Sequence, residues 1–148
     1  MRDINYAIKT AKEEDLLEHL WKCNKYFAPP LNTNIDLDEF GSKIFERAIT
    51  FEAWDKQYLV GLVSAYFNEF ESKIAFVNHV SVLDSYRRQG ISSLLLEKCI
   101  QYGLDKNFNT ILLEVEHKNK IAVGLYKRLG FMVESRNGKK VLMSKKLK

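Results

Sequence analysis

The sequence predicts an α/β (α+β) domain whose elements run strand, helix, helix, three strands, helix, strand, helix, two strands, and three observations predict it. Residues 50–83 hold three apolar, β-rich runs parted by polar turns too short for a crossover, which implies an antiparallel meander. Residues 80–96 pass from a buried-looking strand through a basic, glycine-containing turn into an amphipathic helix. Residues 110–131 then read as strand, loop, helix and the start of another strand.

In order, residues 6–9 suit a short strand, and Thr10, Ala11, Lys12 and Glu13 resemble a capping-box entry to a helix carrying Leu16, Leu17, Leu20, Trp21 and Cys23. Pro29, Pro30, Asn32 and Asn34 break it. Residues 36–49 read as a second helix with Leu37, Phe40, Ile44 and Phe45 on one side. Strands follow at 50–54, 58–67 and 74–83, parted by turns at 55–57 and 68–73. The next helix spans about 90–106, a strand starts at Thr110, the helix with Tyr126 follows, and a final hairpin turns at Asn137 and Gly138.

Composition sets outer limits. A chain of 148 residues with 46% hydrophobic content fits one domain over 1–148 with a substantial core. No apolar run reaches membrane-spanning length and Met1, Arg2 and Asp3 lead into no signal-peptide core, so no membrane partner and a cytoplasmic location are expected. Cys23 and Cys99 lack metal-ligand spacing and read as reduced packing residues; no metal is expected. The net charge of +4 owes much to Lys139, Lys140, Lys145, Lys146 and Lys148. No aromatic residues interleave with these lysines as a stacking platform for single strands requires, so no nucleic-acid partner is expected. Val141, Leu142 and Met143 read instead as a terminal strand whose exposed edge lysine protects.

The turn at 87–93 has the chemistry of a diphosphate cradle. N–H groups in a first helical turn lack intrahelical acceptors, and aligned peptide dipoles add partial positive charge. Gly90 permits close backbone approach, and Arg87 and Arg88 add full charge. There is no Gly-x-Gly-x-x-Gly and no Gly-x-x-x-x-Gly-Lys-Ser/Thr, which removes the main support for dinucleotide and nucleoside-triphosphate readings. In the later helix Asn119 and Tyr126, seven residues apart, share one face with Ala122 between them. Asn119 suits a helix cap, and Gly130 a left-handed stop before Phe131.

Arg87-x-x-Gly90-x-Ser92 resembles the Gln/Arg-x-x-Gly-x-Gly/Ala signature by which the GNAT superfamily of N-acyltransferases holds the diphosphate of acetyl-CoA. Asn119-x-x-Ala122-x-x-Leu125-Tyr126-x-x-Leu129-Gly130-Phe131 resembles that superfamily's Asn-x-x-Ala-x-x-Leu-Tyr-x-x-x-Gly-Phe segment, in the same order along the chain. The close resemblance runs over about 74–131, and Ser92 departs from the pattern by a hydroxymethyl only slightly larger than a methyl. The resemblance implies the GNAT fold: a mixed, mostly antiparallel sheet with a splay between two parallel strands, flanked by about four helices. It implies acetyl-CoA as cosubstrate, with Arg87, Arg88, Gln89, Gly90, Ile91, Ser92 and Ser93 around the phosphates. Val80 and Val82 would offer backbone groups to the pantetheine amides, Asn119 would contact the pantetheine or diphosphate, and a main-chain N–H near Val80, where the family has a bulge, would hold the oxyanion.

Acetyl transfer to an amine needs an uncharged nucleophile, and at an amine pKa near 10.4 only about 0.0004 of it is uncharged at pH 7. A carboxylate, a histidine or water must take the proton. Glu114 is the first candidate, at the position of a glutamate used as base by family members that acetylate protein N-termini, with His79 and Glu116 as alternatives. A strand-end carboxylate paired with lysine and a hydrogen-bonded sheet histidine are the competing readings. Many relatives carry glutamate where this chain has Asn78, which cannot act as a base. Tyr126 is expected to hydrogen-bond the departing thiolate. The segment between the first two helices, with Trp21, Tyr26 and Phe27, would line the acceptor side. The acceptor is expected to be a small amine (amino sugar, amino acid or polyamine type) or a peptide N-terminus, and the protein a monomer or homodimer. The rival reading is a domain that binds acyl-CoA without turning it over, as sensor or scaffold.

Overall fold

The computed structural model describes residues 3–27 and 29–147; Met1, Arg2 and Lys148, read above, lie outside them. Among the described residues the strands are β1 (Asn5–Ile8), β2 (Ile49–Asp55), β3 (Tyr58–Glu69), β4 (Ile74–Val82), β5 (Thr110–Glu116), β6 (Met132–Asn137) and β7 (Lys140–Lys146). They form one sheet in the order β1-β2-β3-β4-β5-β7-β6. Every pairing is antiparallel except that of β4 with β5, so the sheet is mixed as expected. The helices are α1 (Glu13–Asn24), α2 (Leu37–Arg47), α3 (Ile91–Asp105) and α4 (Lys120–Arg128).

Period-two alternation along the strands divides the core between the two faces of the sheet. Val63, Ala65, Val77, Ile111, Leu113 and Met143 join Ile91, Leu95, Leu96 and Cys99 of α3 and Tyr126 of α4 in the larger cluster. Leu59 and Leu62 face the other way, against Leu16 and Leu20 of α1 and Leu37 and Ile44 of α2. At the far end of α3 the rings of Phe51, Phe67, Tyr102 and Phe108 meet edge to face at 4.8–5.6 Å. Gly61 of β3 sets how closely α3 sits on the sheet: a Cβ there would lie 2.7 Å from Ile91 Cγ2 and 3.3 Å from Leu95 Cδ1. The start of α3, and with it the preceding turn, is thereby seated over β3.

Three expectations are corrected. The Thr10 hydroxyl does not cap α1; it donates at 2.5 Å to Glu52, a fully buried carboxylate that also accepts the N–H groups of Thr10 and Ala11 and the Thr50 hydroxyl. Lys12 is the N-cap, and its N–H donates to Asp15 Oδ2 at 2.9 Å. The second helix stops at Arg47 because Ala48 is extended and Ile49 already pairs with Ala65 in β2. β7, which carries Val141, Leu142 and Met143, is not an edge: it lies between β5 and β6, and β6 with Glu134 and Arg136 forms the edge. Glu134 accepts a hydrogen bond from Ser144 of β7 across a register shift in β6.

Candidate active site

β4 and β5 pair in parallel from Ile74 with Thr110 to Val77 with Leu113, and their pairing ends there. Beyond that point β4 stays bonded to β3 as far as Val82 opposite Gly61, while β5 stays bonded to β7 as far as Glu116 opposite Lys140. The strands therefore part, and the backbone of 78–82 borders one side of the opening and 114–116 the other. A free strand edge of this kind can pair with an extended chain of amides.

A bulge lies at the mouth of the opening. Val77 opposes Ala65 and His79 opposes Ser64, so Asn78 is the extra residue, two positions before the Val80 where the resemblance put the bulge. The insertion lets His79 turn toward α1 and α2 while Val77, Val80 and Val82 pack on the opposite face. Asn78 Oδ1 accepts from the Ser64 hydroxyl at 2.8 Å, and Asn78 Nδ2 is buried without a hydrogen-bond partner among the described residues. Glu114 lies just past the last parallel pair. Its neighbours Leu113 and Val115 face the α3 side, so its exposed side chain shares the His79 face.

The turn from β4 to α3 contains a short 3-10 segment (Asp84–Tyr86), then Arg88 at φ 66° and Gly90 at φ 76°. Gly90 is the N-cap of α3 and no side chain caps the helix, so its first-turn N–H groups face outward unclaimed by side chains. Nothing lies within 4 Å of where a Cβ on Gly90 would stand. These features fit a diphosphate: open space, free N–H donors and the positive end of a 15-residue helix. Ser92 and Ser93 are half-buried in the first turn, and Arg88 and Gln89 are exposed. Arg87 is shared. Its Nε donates to Val82 O at 3.5 Å, its Nη1 lies 3.9 Å from Asp84 Oδ1, and its guanidinium sits 5.8 Å from the Tyr26 ring centroid, joining the turn to the end of α1.

Asn119 caps α4, its Oδ1 accepting the Ala122 N–H at 3.1 Å, and the amide nitrogen remains for a ligand. Tyr126 is 7% exposed and packs edge to face on Phe131 at 6.0 Å. Burial pushes its phenol up to about 12, so the hydroxyl stays protonated and is a donor throughout the working pH range.

On the α1 and α2 side lies a buried polar group that was not foreseen. His19 Nδ1 is 2.9 Å from Leu59 O, His19 Nε2 is 2.8 Å from Ser81 Oγ, and His79 Nε2 is 2.8 Å from the same hydroxyl. Cys23 Sγ stands 3.6 Å from His19 Nε2. Phe27 and Phe40 pack on the His79 ring at 5.8 and 5.7 Å. Burial, reinforced by the charge a protonated His19 would place beside it, lowers His79 to about 3; burial lowers His19 to about 4, against the opposing pull of the Leu59 carbonyl and with help from Lys22. Both rings are therefore neutral at pH 7. An unfolded histidine titrates near 6.5, so the unfolded chain takes up protons first as the pH falls. Stability should be fully present above pH 6.5 and fall progressively as pH drops through 4 toward 3. Urea unfolding at pH 7, 5.5 and 4 checks this, with a flatter dependence expected for His79→Gln.

The remaining expected residues border a cavity of about 470 Å³ lined by Trp21, Lys22, Asn24, Lys25, Tyr26, Leu83, Asp84 and Ser85. The Trp21 indole donates to Asp38 Oδ1 at 2.8 Å, which ties α1 to α2 beside it. Phe27 stands apart from this cavity, over His79. Among the described residues no group of three His, Cys, Asp or Glu side chains is arranged to hold a metal ion, and no helix is long and apolar enough to cross a membrane. Cys99 is buried in the core, its thiol pushed up to about 12 by burial.

Among solved structures, the fold is similar to that of PaiA N-acetyltransferase from Thermoplasma acidophilum in complex with coenzyme A, at a TM-score of 0.77 and 18% identity over 96% of this chain and 99% of that one. Curated relatives include N-alpha-acetyltransferase 30 of Xenopus laevis, 34% identical over 61 residues (41% of this chain, 22% of the relative), and thialysine N-epsilon-acetyltransferase of Bos taurus, 33% identical over 70 residues (47% and 41%). The matched segments thus span less than half the length of these relatives. The Acetyltransferase (GNAT) family model matches residues 5–131, which hold strands β1 to β5 and all four helices, and the chain belongs to that family.

Proposed function

We propose that the chain is a single acetyl-CoA-dependent N-acetyltransferase domain over 1–148, moving an acetyl group to a primary amine by direct attack within a ternary complex. The observation that carries this reading is the parting of β4 and β5 after Val77 and Leu113, next to a helix start with uncapped N–H groups. Acetyl-CoA would supply the activated acyl thioester. The turn residues Arg87 to Ser93 hold the diphosphate, and the free β4 edge at Val80 and Val82 pairs with the pantetheine amides. A β4 N–H in the bulged stretch 78–80 stabilises the oxyanion in a site shielded from water. Tyr126 donates a hydrogen bond to the sulfur. Full proton transfer from a phenol near 12 to a thiol near 8.5 is uphill by about 5 kcal/mol, so the phenol acts as a donor and keeps its proton.

Glu114 is assigned as the proton acceptor, directly or through water. It is exposed on the His79 face of the opening and can pass a proton on to solvent, whereas burial disfavours a charged His79 and encloses its ring. Glu114→Gln keeps size but removes basicity, so the rate should fall most at low pH and recover as the free amine fraction grows. Turnover from about pH 6 to 10 for the wild type and Glu114→Gln checks this, and parallel profiles would leave solvent as the acceptor.

The acceptor is read as a small polar amine with an apolar portion, or a peptide N-terminus. The aromatic and amide groups of the cavity beside Tyr26, and relatives named for N-alpha and thialysine N-epsilon acetylation, support this range. A non-catalytic acyl-CoA sensor is favoured by one observation, the carboxamide of Asn78 beside the opening, which cannot act as a base. Thiol release from acetyl-CoA with spermidine, amino sugars, amino acids and short peptides separates the two. Release with at least one amine supports the enzyme, and CoA binding without release from any of them supports the sensor.

A further inference from the structure

The hydrogen bonds around Ser81 fix where every proton of the buried group sits. The Leu59 carbonyl can only accept, so His19 carries its proton on Nδ1 and donates it there at 2.9 Å. His19 Nε2 is then a bare acceptor with two possible donors, the weak Cys23 thiol at 3.6 Å and the Ser81 hydroxyl at 2.8 Å; the short contact takes the Ser81 proton, since a Ser81 lone pair turned to a bare nitrogen at that distance would be repelled. With its single proton committed to His19, Ser81 can only accept from the second histidine. His79 Nε2, also at 2.8 Å, must therefore be the protonated nitrogen of that ring. The chain of donors runs His79 to Ser81 to His19 to Leu59, and it leaves His79 Nδ1 as a lone pair on the ring edge facing away from Ser81.

We propose that Ser81 and His19 are positioning residues that lock His79 as its Nε2–H tautomer, so that Nδ1 accepts an N–H from the acceptor amine and aims the nitrogen lone pair at the acyl carbon. The proposal rests on the transferase reading above. His79 sits at the bulge where β4 leaves β5, on the face of α1 and α2, with Glu114 across the opening on the same face. Phe27 and Phe40 hold the ring plane. A neutral ring suits this contact, because an imidazolium would repel a cationic amine and would have no lone pair to offer. Of the charged groups near the cluster, a proton on His19 opposes one on His79 and Lys22 opposes one on His19, while the Glu114 carboxylate lies across the opening on the exposed side.

No covalent bond changes in this step. Glu114 or water first takes the ammonium proton; the neutral amine then binds through one N–H to Nδ1, and after attack the adduct sheds a second proton to solvent as the thiolate leaves. Removing the Ser81 hydroxyl frees His79 to take the Nδ1–H tautomer, which presents a donor where an acceptor is needed. The expected result for Ser81→Ala is a five- to hundredfold loss in kcat/KM for the amine, the range of one misplaced hydrogen bond in a buried site, with the acetyl-CoA KM unchanged. Ser81→Thr keeps the hydroxyl and should stay within about threefold of the wild type.

The test pairs these kinetics with 15N NMR of the imidazole nitrogens at pH 7 in the complete chain. The proposal predicts Nδ1–H for His19, Nε2–H for His79, and a change of the His79 pattern in Ser81→Ala at the point where amine kinetics fail. An Nδ1–H pattern for His79 in the wild type overturns the proposal alone. So does unchanged amine kcat/KM in a folded Ser81→Ala, since a purely structural role for the hydroxyl would lower the melting temperature without separating the amine from acetyl-CoA. Absence of thiol release with every amine overturns the transferase reading and the acceptor contact with it, whatever tautomer the spectra show.

Discussion

Tyr126→Phe is expected to lower turnover by about ten- to a thousandfold while leaving the apparent acetyl-CoA constant nearly unchanged. The phenol is buried in the core shared by α3, α4 and the sheet, and burial holds its pKa at about 12, so it offers a proton to a neighbour without losing it. A thioester sulfur is a poor hydrogen-bond acceptor and a thiolate a strong one. The interaction therefore grows as the bond breaks and contributes mainly to the rate. Phenylalanine keeps the ring that packs on Phe131 at 6.0 Å, so the fold should be preserved. Steady-state kinetics with saturating amine checks the result, and an equal fall in CoA affinity would make Tyr126 a binding residue instead.

Gly90→Val is expected to weaken CoA binding at least tenfold, about 1.4 kcal/mol, in a protein that still folds. Two effects combine. Residue 90 sits at φ 76°, where a β-branched side chain is strained by about 1–2 kcal/mol. The side chain would also fill the space in front of the first-turn N–H groups of α3, where nothing of the protein itself lies within 4 Å of the new Cβ. Because that space is empty of protein, the variant should fold with a modest loss of stability while the anion is kept away from its donors. Calorimetric titration with CoA measures the loss, and unchanged affinity in a folded variant would remove the turn from the site.

The parts of the site built from neighbouring residues were legible in the sequence. Gly90 at a left-handed N-cap, Asn119 capping the next helix and Gly130 stopping it are local devices, and each acts within a few residues of where it stands. The chemistry assembled from distant residues was not. Glu52 takes the Thr10 hydroxyl from 42 positions away and so displaces the expected cap. His19 and Ser81 are 62 residues apart, and nothing in either segment alone announces the other. Ser81 is one polar position in an alternating strand, and His19 one polar position in an amphipathic helix. The extra residue at Asn78, which turns His79 to the side of His19, depends on register with β3 and carries no mark in composition. The place of β7 between β5 and β6 likewise follows from a crossing of the chain that a hairpin signal at Asn137 and Gly138 does not contain.

A crystal structure of the protein with CoA tests the central claim most directly, because that claim is a placement. The account predicts the pantetheine between residues 78–82 of β4 and 114–116 of β5, and the diphosphate on the N–H groups that follow Gly90. It also predicts the sulfur within about 3.5 Å of the Tyr126 hydroxyl. CoA bound elsewhere on the protein, or bound in the opening with Tyr126 remote from the sulfur, would contradict it.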